Sequence, residues 1–220
     1  MIWIAQAQSA QEISGASEDD GSYRIRIIPE VTTFSDNAVV SYPGAAEDYL
    51  PHSLWAEIAC KDAIRVLSAV AEMALRIGLL VRGGLSFGQL YHHDRVVFGE
   101  AVVDAYALEK DIAVFPRTVV SDRVIAKLNH TRPKDLRDVL LRDTDGRWHL
   151  NYIKGMMRHA APPGPTALDE AAAWKRAHLH TINRAIEELR GSSASEAARR
   201  AAKWEWFKTQ FEATTARLGS

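Results

Sequence analysis

Two short stretches of this chain carry side chains able to do chemistry. In Thr32-Thr33-Phe34-Ser35-Asp36-Asn37-Ala38-Val39-Val40-Ser41-Tyr42 a carboxylate stands between two β-prone runs. A carboxylate next to a hairpin tip is clear of the ladder and can face outward. There Asp36 would hold a hard cation such as Mg2+ or Mn2+ together with substrate phosphates. Asp and Asn also favour tight turns, because they hydrogen-bond locally and tolerate left-handed dihedrals, so the local residues taken alone favour a plain turn. In Arg82-Gly83-Gly84, glycines inside a strand mark the close approach of another backbone or of a ligand. The adjacent arginine has the fork that grips phosphate bidentately. A bulge with a surface arginine explains the same residues, and their spacing is that of neither a P-loop nor a dinucleotide fingerprint.

Other reactive side chains have simpler readings. His92-His93-Asp94 contains metal-capable groups, but neighbouring strand side chains face opposite ways, so a solvated turn is expected. His178 and His180 lie about 200° apart around a helix and should not share one ion. Trp204, Trp206 and Phe207 suit packing or dimer contacts better than base stacking. Arg117, Arg132, Lys134 and Arg137 could join a polyphosphate site or simply form a solvated surface. Cys60 is the sole cysteine and falls in an amphipathic helical stretch, so it packs; no disulfide framework or thiolate zinc site is expected.

The elements that must position these groups follow from periodicity. The chain has 220 residues, 47% hydrophobic and 25% charged, with a net charge of -1, enough for one α/β domain with a helical appendage. The near-neutral balance gives no basic field for nucleic acid. No apolar run approaches a membrane span and the N-terminus has no leader pattern, so a soluble cytoplasmic protein is expected. The first dozen residues read as a short helix and 14–22 as a polar loop. Tyr23, Ile25 and Ile27 alternate as an edge strand interrupted by Pro29. Val31–Phe34 and Ala38–Tyr42 form a hairpin. Ser53 caps a long helix ended by Gly78. Leu79–Tyr91 reads as a strand, Arg95–Phe98 runs back, and a helix opens at Gly99. Ile112–Phe115 is a short strand closed by Pro116, Ser121 caps a helix to about Leu128, and Val139–Leu141 pairs with Trp148–Ile153 through an Asp-Gly turn. Pro162-Pro163-Gly164-Pro165 separates a domain over 1–160 from a helical extension over 161–220. The order predicts an α+β fold: an antiparallel-rich sheet covered by helices, with the C-terminal helical extension.

Taken together, "FSDNAVVSY", "VRGGLSFGQLYHHDRVVFGEAVVDAYALE" and "DTDGRWHLNYI" resemble the class III nucleotide cyclase catalytic domain, which is ferredoxin-like. They are most similar to its bacterial anti-phage branch, the pyrimidine cyclases, over about residues 22–153. The "KWEWF" tail is similar to that branch as well. The resemblance implies that a ribonucleoside triphosphate loses pyrophosphate as its 3′ oxygen attacks the α-phosphorus. It implies two divalent ions, Mg2+ or Mn2+, held by two aspartates, of which Asp36 matches the second. It also implies a head-to-tail homodimer whose cyclic product activates a separate effector.

The departures from that pattern are specific. Purine cyclases place a base-selecting lysine four residues before the tip aspartate and an aspartate three residues before the glycine matching Gly99. Here those positions are Thr32 and Val96, which favours UTP or CTP over a purine. The transition-state Asn and Arg of purine cyclases are replaced by Val103 and Ala107, as in the similar "AYALE" helix of the pyrimidine branch. Arg82 or Arg95 would then supply positive charge to the substrate. The first metal aspartate has no counterpart, because Asp19 and Asp20 sit in a polar loop. The N-terminal strand that carries it is expected to be missing. A cyclase-like nucleotide-binding or dimerisation module without turnover is therefore the alternative, and a purine cyclase the third reading.

Overall fold

Threonine and branched side chains at alternating positions fold Glu30–Phe34 (β4) and Asn37–Pro43 (β5) into an antiparallel hairpin, with Thr32 opposite Val39 and Phe34 opposite Asn37. The computed structural model describes residues 2–7, 15–17, 23–25, 29–34, 37–43, 52–128, 140–160, 167–191 and 194–216. On its inner side β5 pairs not with a helix but with Ile2–Ala7 (β1), in parallel, from Ile2 opposite Ala38 to Ala7 opposite Pro43. The expected N-terminal helix is thus corrected to a strand. Ile2, Trp3 and Ile4 are strand formers, and these three residues pair on both sides of the strand.

Gly83–Leu85 (β6) lies on the other side of β1, and Thr118–Val120 (β9) beyond it, both parallel. Leu140–Arg142 (β10) and Trp148–Leu150 (β11) complete a seven-stranded sheet in the order β10-β11-β9-β6-β1-β5-β4. Parallel ladders occupy the centre of this sheet and antiparallel ones its flanks, with β4 at an edge. Two hairpins stand apart: Gly15–Ser17 (β2) with Tyr23–Ile25 (β3), and Tyr91–His93 (β7) with Val96–Phe98 (β8). The first puts a strand where a polar loop was expected.

His52–Arg76 (α1) begins one residue before Ser53 and ends in a reversal at Gly78, whose φ is 75°. Its apolar stripe, including Cys60, Ala63, Ile64 and Leu67, covers one sheet face at Val40, Tyr42, Leu85 and Val120. Asp122–Leu128 (α3) joins that layer, and Ser121 caps it through a Val124 N–H···Oγ bond of 3.3 Å. Glu100–Ala107 (α2) covers the opposite face, with Ala105 against Val39. A Cβ on Gly84 would meet the Ala105 carbonyl, so this glycine serves helix–strand approach.

The helix opened at Gly99 continues past Ala107. It widens into a π turn over Leu108–Ile112, closed by Ala113 N–H to the Leu108 carbonyl at 2.9 Å. That turn consumes the start of the strand expected at Ile112–Phe115; pairing resumes only past Pro116, which has no N–H to give. Likewise the strand expected over Leu79–Tyr91 pairs only over Gly83–Leu85, as β6, and again from Tyr91, as β7. The last strand stops at Leu150, where Asn151 Oδ1 accepts from Lys154 N–H (3.2 Å) and opens Tyr152–Ala160 (α4).

Ala167–Arg190 (α5) and Ser195–Thr215 (α6) form the C-terminal helices of this α+β fold. Trp174, Ile182 and Ile186 of α5 and Trp204, Phe207 and Phe211 of α6 share a core with Ala71 and Leu75 of α1 and Tyr152, Ile153 and Met156 of α4. Each such buried aliphatic or aromatic side chain contributes roughly 1.5–3 kcal/mol. The proline-rich boundary at 162–165 lies outside the described residues. Among the described residues no helix is long and apolar enough to cross a membrane.

Candidate functional site

Thr32 points from the edge strand into the protein between exposed Val31 and Thr33. Its hydroxyl lies 2.7 Å from the Asp94 carbonyl and 2.8 Å from His92 Nε2. His92 Nδ1 lies 2.7 Å from Ser41 Oγ on β5. The carbonyl can only accept, so Thr32 donates its one hydroxyl hydrogen to Asp94. The Thr32 oxygen must then accept from His92 Nε2–H, and in the neutral ring Nδ1 accepts from Ser41. Burial pushes the His92 imidazole below its ordinary value, opposed by the Glu30 charge. The neutral Nε2–H tautomer therefore ties both strands of the β4–β5 hairpin to the β7–β8 hairpin.

This corrects the solvated reading of His92-His93-Asp94. His92 is fully buried, because the strand extends through His93 and alternation turns its middle residue inward. Only Asp94 and Arg95 make the turn, with Asp94 at φ 53°. Arg95 is exposed in that turn, directly after the residue whose carbonyl Thr32 holds. Thr32 itself is spent on these contacts.

Arg82 precedes β6 and is half-exposed. Its Nε lies 2.6 Å from Glu109 Oε1, and Nη1 reaches the Ala113 carbonyl at 3.4 Å. Gly83 is level with Ile2, and Ile2 with Ala38, the second residue of β5. Two strand spacings, about 10 Å, therefore separate the head of β6 from the residue following Asn37. Arg82 and the hairpin tip occupy the same end of the sheet. Ser35 and Asp36 lie between the paired Phe34 and Asn37 and outside the described residues.

Arg117 is corrected as a polyphosphate candidate. Its guanidinium is buried against Asp143, against Asp145 at 2.6 Å and against the Ile112 carbonyl at 3.2 Å. Arg117 in turn holds the Asp145 carboxyl below its usual range, helped by the Arg147 backbone. Arg132, Lys134 and Arg137 lie outside the described residues. Cys60 is buried, and burial pushes its thiol up to about 12, the state of a packing cysteine rather than a nucleophile.

A third polar cluster lies under the C-terminal helices. Glu72 on α1 accepts from Trp174 Nε1 (3.1 Å) and Arg76 Nε (3.0 Å), and His178 Nε2 stands 3.2 Å away. Burial raises the Glu72 carboxyl, but His178, Trp174 and Arg76 together outweigh it and hold the group below its ordinary value. His178 Nδ1–H donates to the Trp174 carbonyl at 2.9 Å. As the spacing predicts, His178 and His180 do not converge: the first is buried and the second exposed. Trp204 and Phe207 pack in the core, and Trp206 stacks on Phe115 at 5.3 Å.

Among the described residues no group of three or more His, Cys, Asp or Glu side chains converges as a metal cage. The β1 sequence, Ile2-Trp3-Ile4-Ala5-Gln6-Ala7, brings no carboxylate beside β5. No protein-family model matches this chain, and neither a curated protein nor a solved structure matches it significantly.

Proposed function

We propose that the protein is a nucleotide cyclase that converts a pyrimidine ribonucleoside triphosphate, UTP or CTP, to its 3′,5′-cyclic nucleotide, as a signal in anti-phage defence. The observation that carries this reading is the placement of Arg82 at the sheet end where the β4–β5 hairpin closes around Asp36. A carboxylate and a guanidinium together suit a triphosphate, whose charge must be neutralised along its length. Asp36 would hold Mg2+ or Mn2+, which when bound neutralises phosphate charge and lowers the pKa of the attacking hydroxyl. Arg82 binds phosphate oxygens, and exposed Arg95 adds positive charge from the neighbouring hairpin turn. The enzyme acts as a homodimer in the cytoplasm, and its product reaches a cyclic-nucleotide-activated effector.

The absence of a carboxylate in β1 favours a second reading, a nucleotide-binding or dimerisation module that retains the fold without turnover. Incubating the protein with each ribonucleoside triphosphate and Mn2+, then weighing the products, separates the two. A cyclic pyrimidine nucleotide supports the enzyme; unchanged nucleotide with retained binding supports the module.

A further inference from the structure

The buried stripe of α2 runs Ala101, Ala105 and then, one turn on, Glu109. These residues recur at every fourth position, so a carboxylate continues a stripe of small apolar residues. Its side chain is 2% exposed, whereas that of its partner Arg82 is 40% exposed. A buried carboxylate paired with an arginine gives little net stability over packed apolar residues, since desolvation offsets the attraction. What the pair does fix is direction. Glu109 takes Arg82 Nε at 2.6 Å, and the Ala113 carbonyl, supplied by the π turn, lies 3.4 Å from Nη1. These contacts use part of the guanidinium's donors and leave others facing solvent. Gly84 lets the helix that carries Glu109 approach β6 closely enough to make the contact.

We infer that Glu109 is a positioning residue: it locks the Arg82 guanidinium so that its outer N–H groups present a fixed, bidentate edge to the phosphate chain of a nucleoside triphosphate. The inference rests on the triphosphate site proposed above. Arg82 contacts the ligand and Glu109 acts only through Arg82. A free arginine would lose side-chain entropy on each binding event; a held one has lost it on folding.

The test measures binding of inorganic tripolyphosphate in Mg2+ buffer by titration calorimetry. Its variants are Arg82→Ala, Arg82→Lys, Glu109→Gln and the Arg82→Ala/Glu109→Gln double. Arg82→Ala should weaken binding by about tenfold or more, and Glu109→Gln by several-fold. The double variant should be no weaker than Arg82→Ala alone, because Glu109 reaches the ligand only through Arg82. Arg82→Lys, at an accessible position, should bind as poorly as Arg82→Ala, since a lysine keeps the charge but not the fork. Wild-type binding by Arg82→Lys, multiplicative losses in the double variant, or affinity unmoved by Arg82→Ala would each overturn the inference. So would wild-type protein that does not bind tripolyphosphate. The expected pattern without any cyclic product would sink the cyclase and keep the positioning role. Cyclic product with an unmoved Glu109→Gln affinity would do the reverse.

Discussion

Thr32 and His92 stand 60 positions apart in the chain, and their side chains meet at 2.8 Å inside the protein. The contact joins the hairpin that carries Asp36 to the hairpin that carries Arg95. Thr32 gives its hydrogen to Asp94 and accepts from His92, whose other ring nitrogen takes the Ser41 hydroxyl. Placement of the candidate site is thereby coupled to a small buried polar network, the kind that specifies one arrangement only when every member is satisfied.

Removing the hydroxyl should show this coupling. Thr32→Val keeps the shape but leaves His92 Nε2–H and the Asp94 carbonyl without their partner, at a cost of about 1–3 kcal/mol. Urea unfolding should register the loss, and Thr32→Ser should recover most of it. Equal stability of Thr32→Val and wild type would show that the network carries no weight.

The same network predicts an acid limit. His92 has a folded pKa below its unfolded value, because burial disfavours the charged ring. The unfolded chain therefore binds the proton first, and stability falls as pH drops below about 6.5. Buried His149 is shifted in the same direction and adds to the slope. Above the unfolded value both rings are neutral in either state and their contribution is constant. Thermal melts of His92→Gln across pH 5 to 7.5 should show a shallower acid slope than wild type; an identical slope would rule His92 out.

Under the C-terminal helices, Glu72→Ala should be severe. It strips Trp174 Nε1 and Arg76 of their acceptor and leaves His178 Nε2 without its neighbouring carboxylate. Leaving the buried Trp174 N–H without its acceptor costs about 1–3 kcal/mol. Calorimetry should record a large fall in Tm. A change under about 1 kcal/mol would mean that solvent already reaches the cluster.

Gly84→Ala tests the close approach of α2. The added methyl has no room against the Ala105 carbonyl, so helix and strand must separate, at about 1–3 kcal/mol or more. The displaced helix also withdraws Glu109 from Arg82, so tripolyphosphate affinity should fall in whatever protein remains folded. A stable Gly84→Ala protein with wild-type affinity would contradict the packing described.

Much of this was legible in the residues, and the exceptions have physical causes. The β4–β5 hairpin, the Gly78 stop and the Ser121 cap follow from local chemistry and stand where periodicity puts them. The strand at Ile2–Ala7 was obscured because the polar residues after it break the alternation; its pairing with β5 and β6 is wholly non-local. His92 was misread because Asp94 suggested a turn, although Tyr91-His92-His93 has the period that buries its middle residue. Glu109 was legible as the fourth-position successor of Ala101 and Ala105, but only the π turn and Arg82 explain why a carboxylate sits there. The six-pair ladder between β1 and β5, which no local signal announces, shows the limit of periodicity. Which strands become neighbours depends on crossovers that no window of residues encodes.

The central claim is that Asp36, at the closed end of the β4–β5 hairpin, serves cyclisation. Its most direct test is the yield of cyclic UMP and cyclic CMP from wild type and Asp36→Ala, with Mn2+ and each pyrimidine triphosphate, alongside a thermal melt of both proteins. The account predicts product from wild type, none from Asp36→Ala, and matching melts. Product from Asp36→Ala at the wild-type rate, or no cyclic product from wild type with any triphosphate, would contradict it.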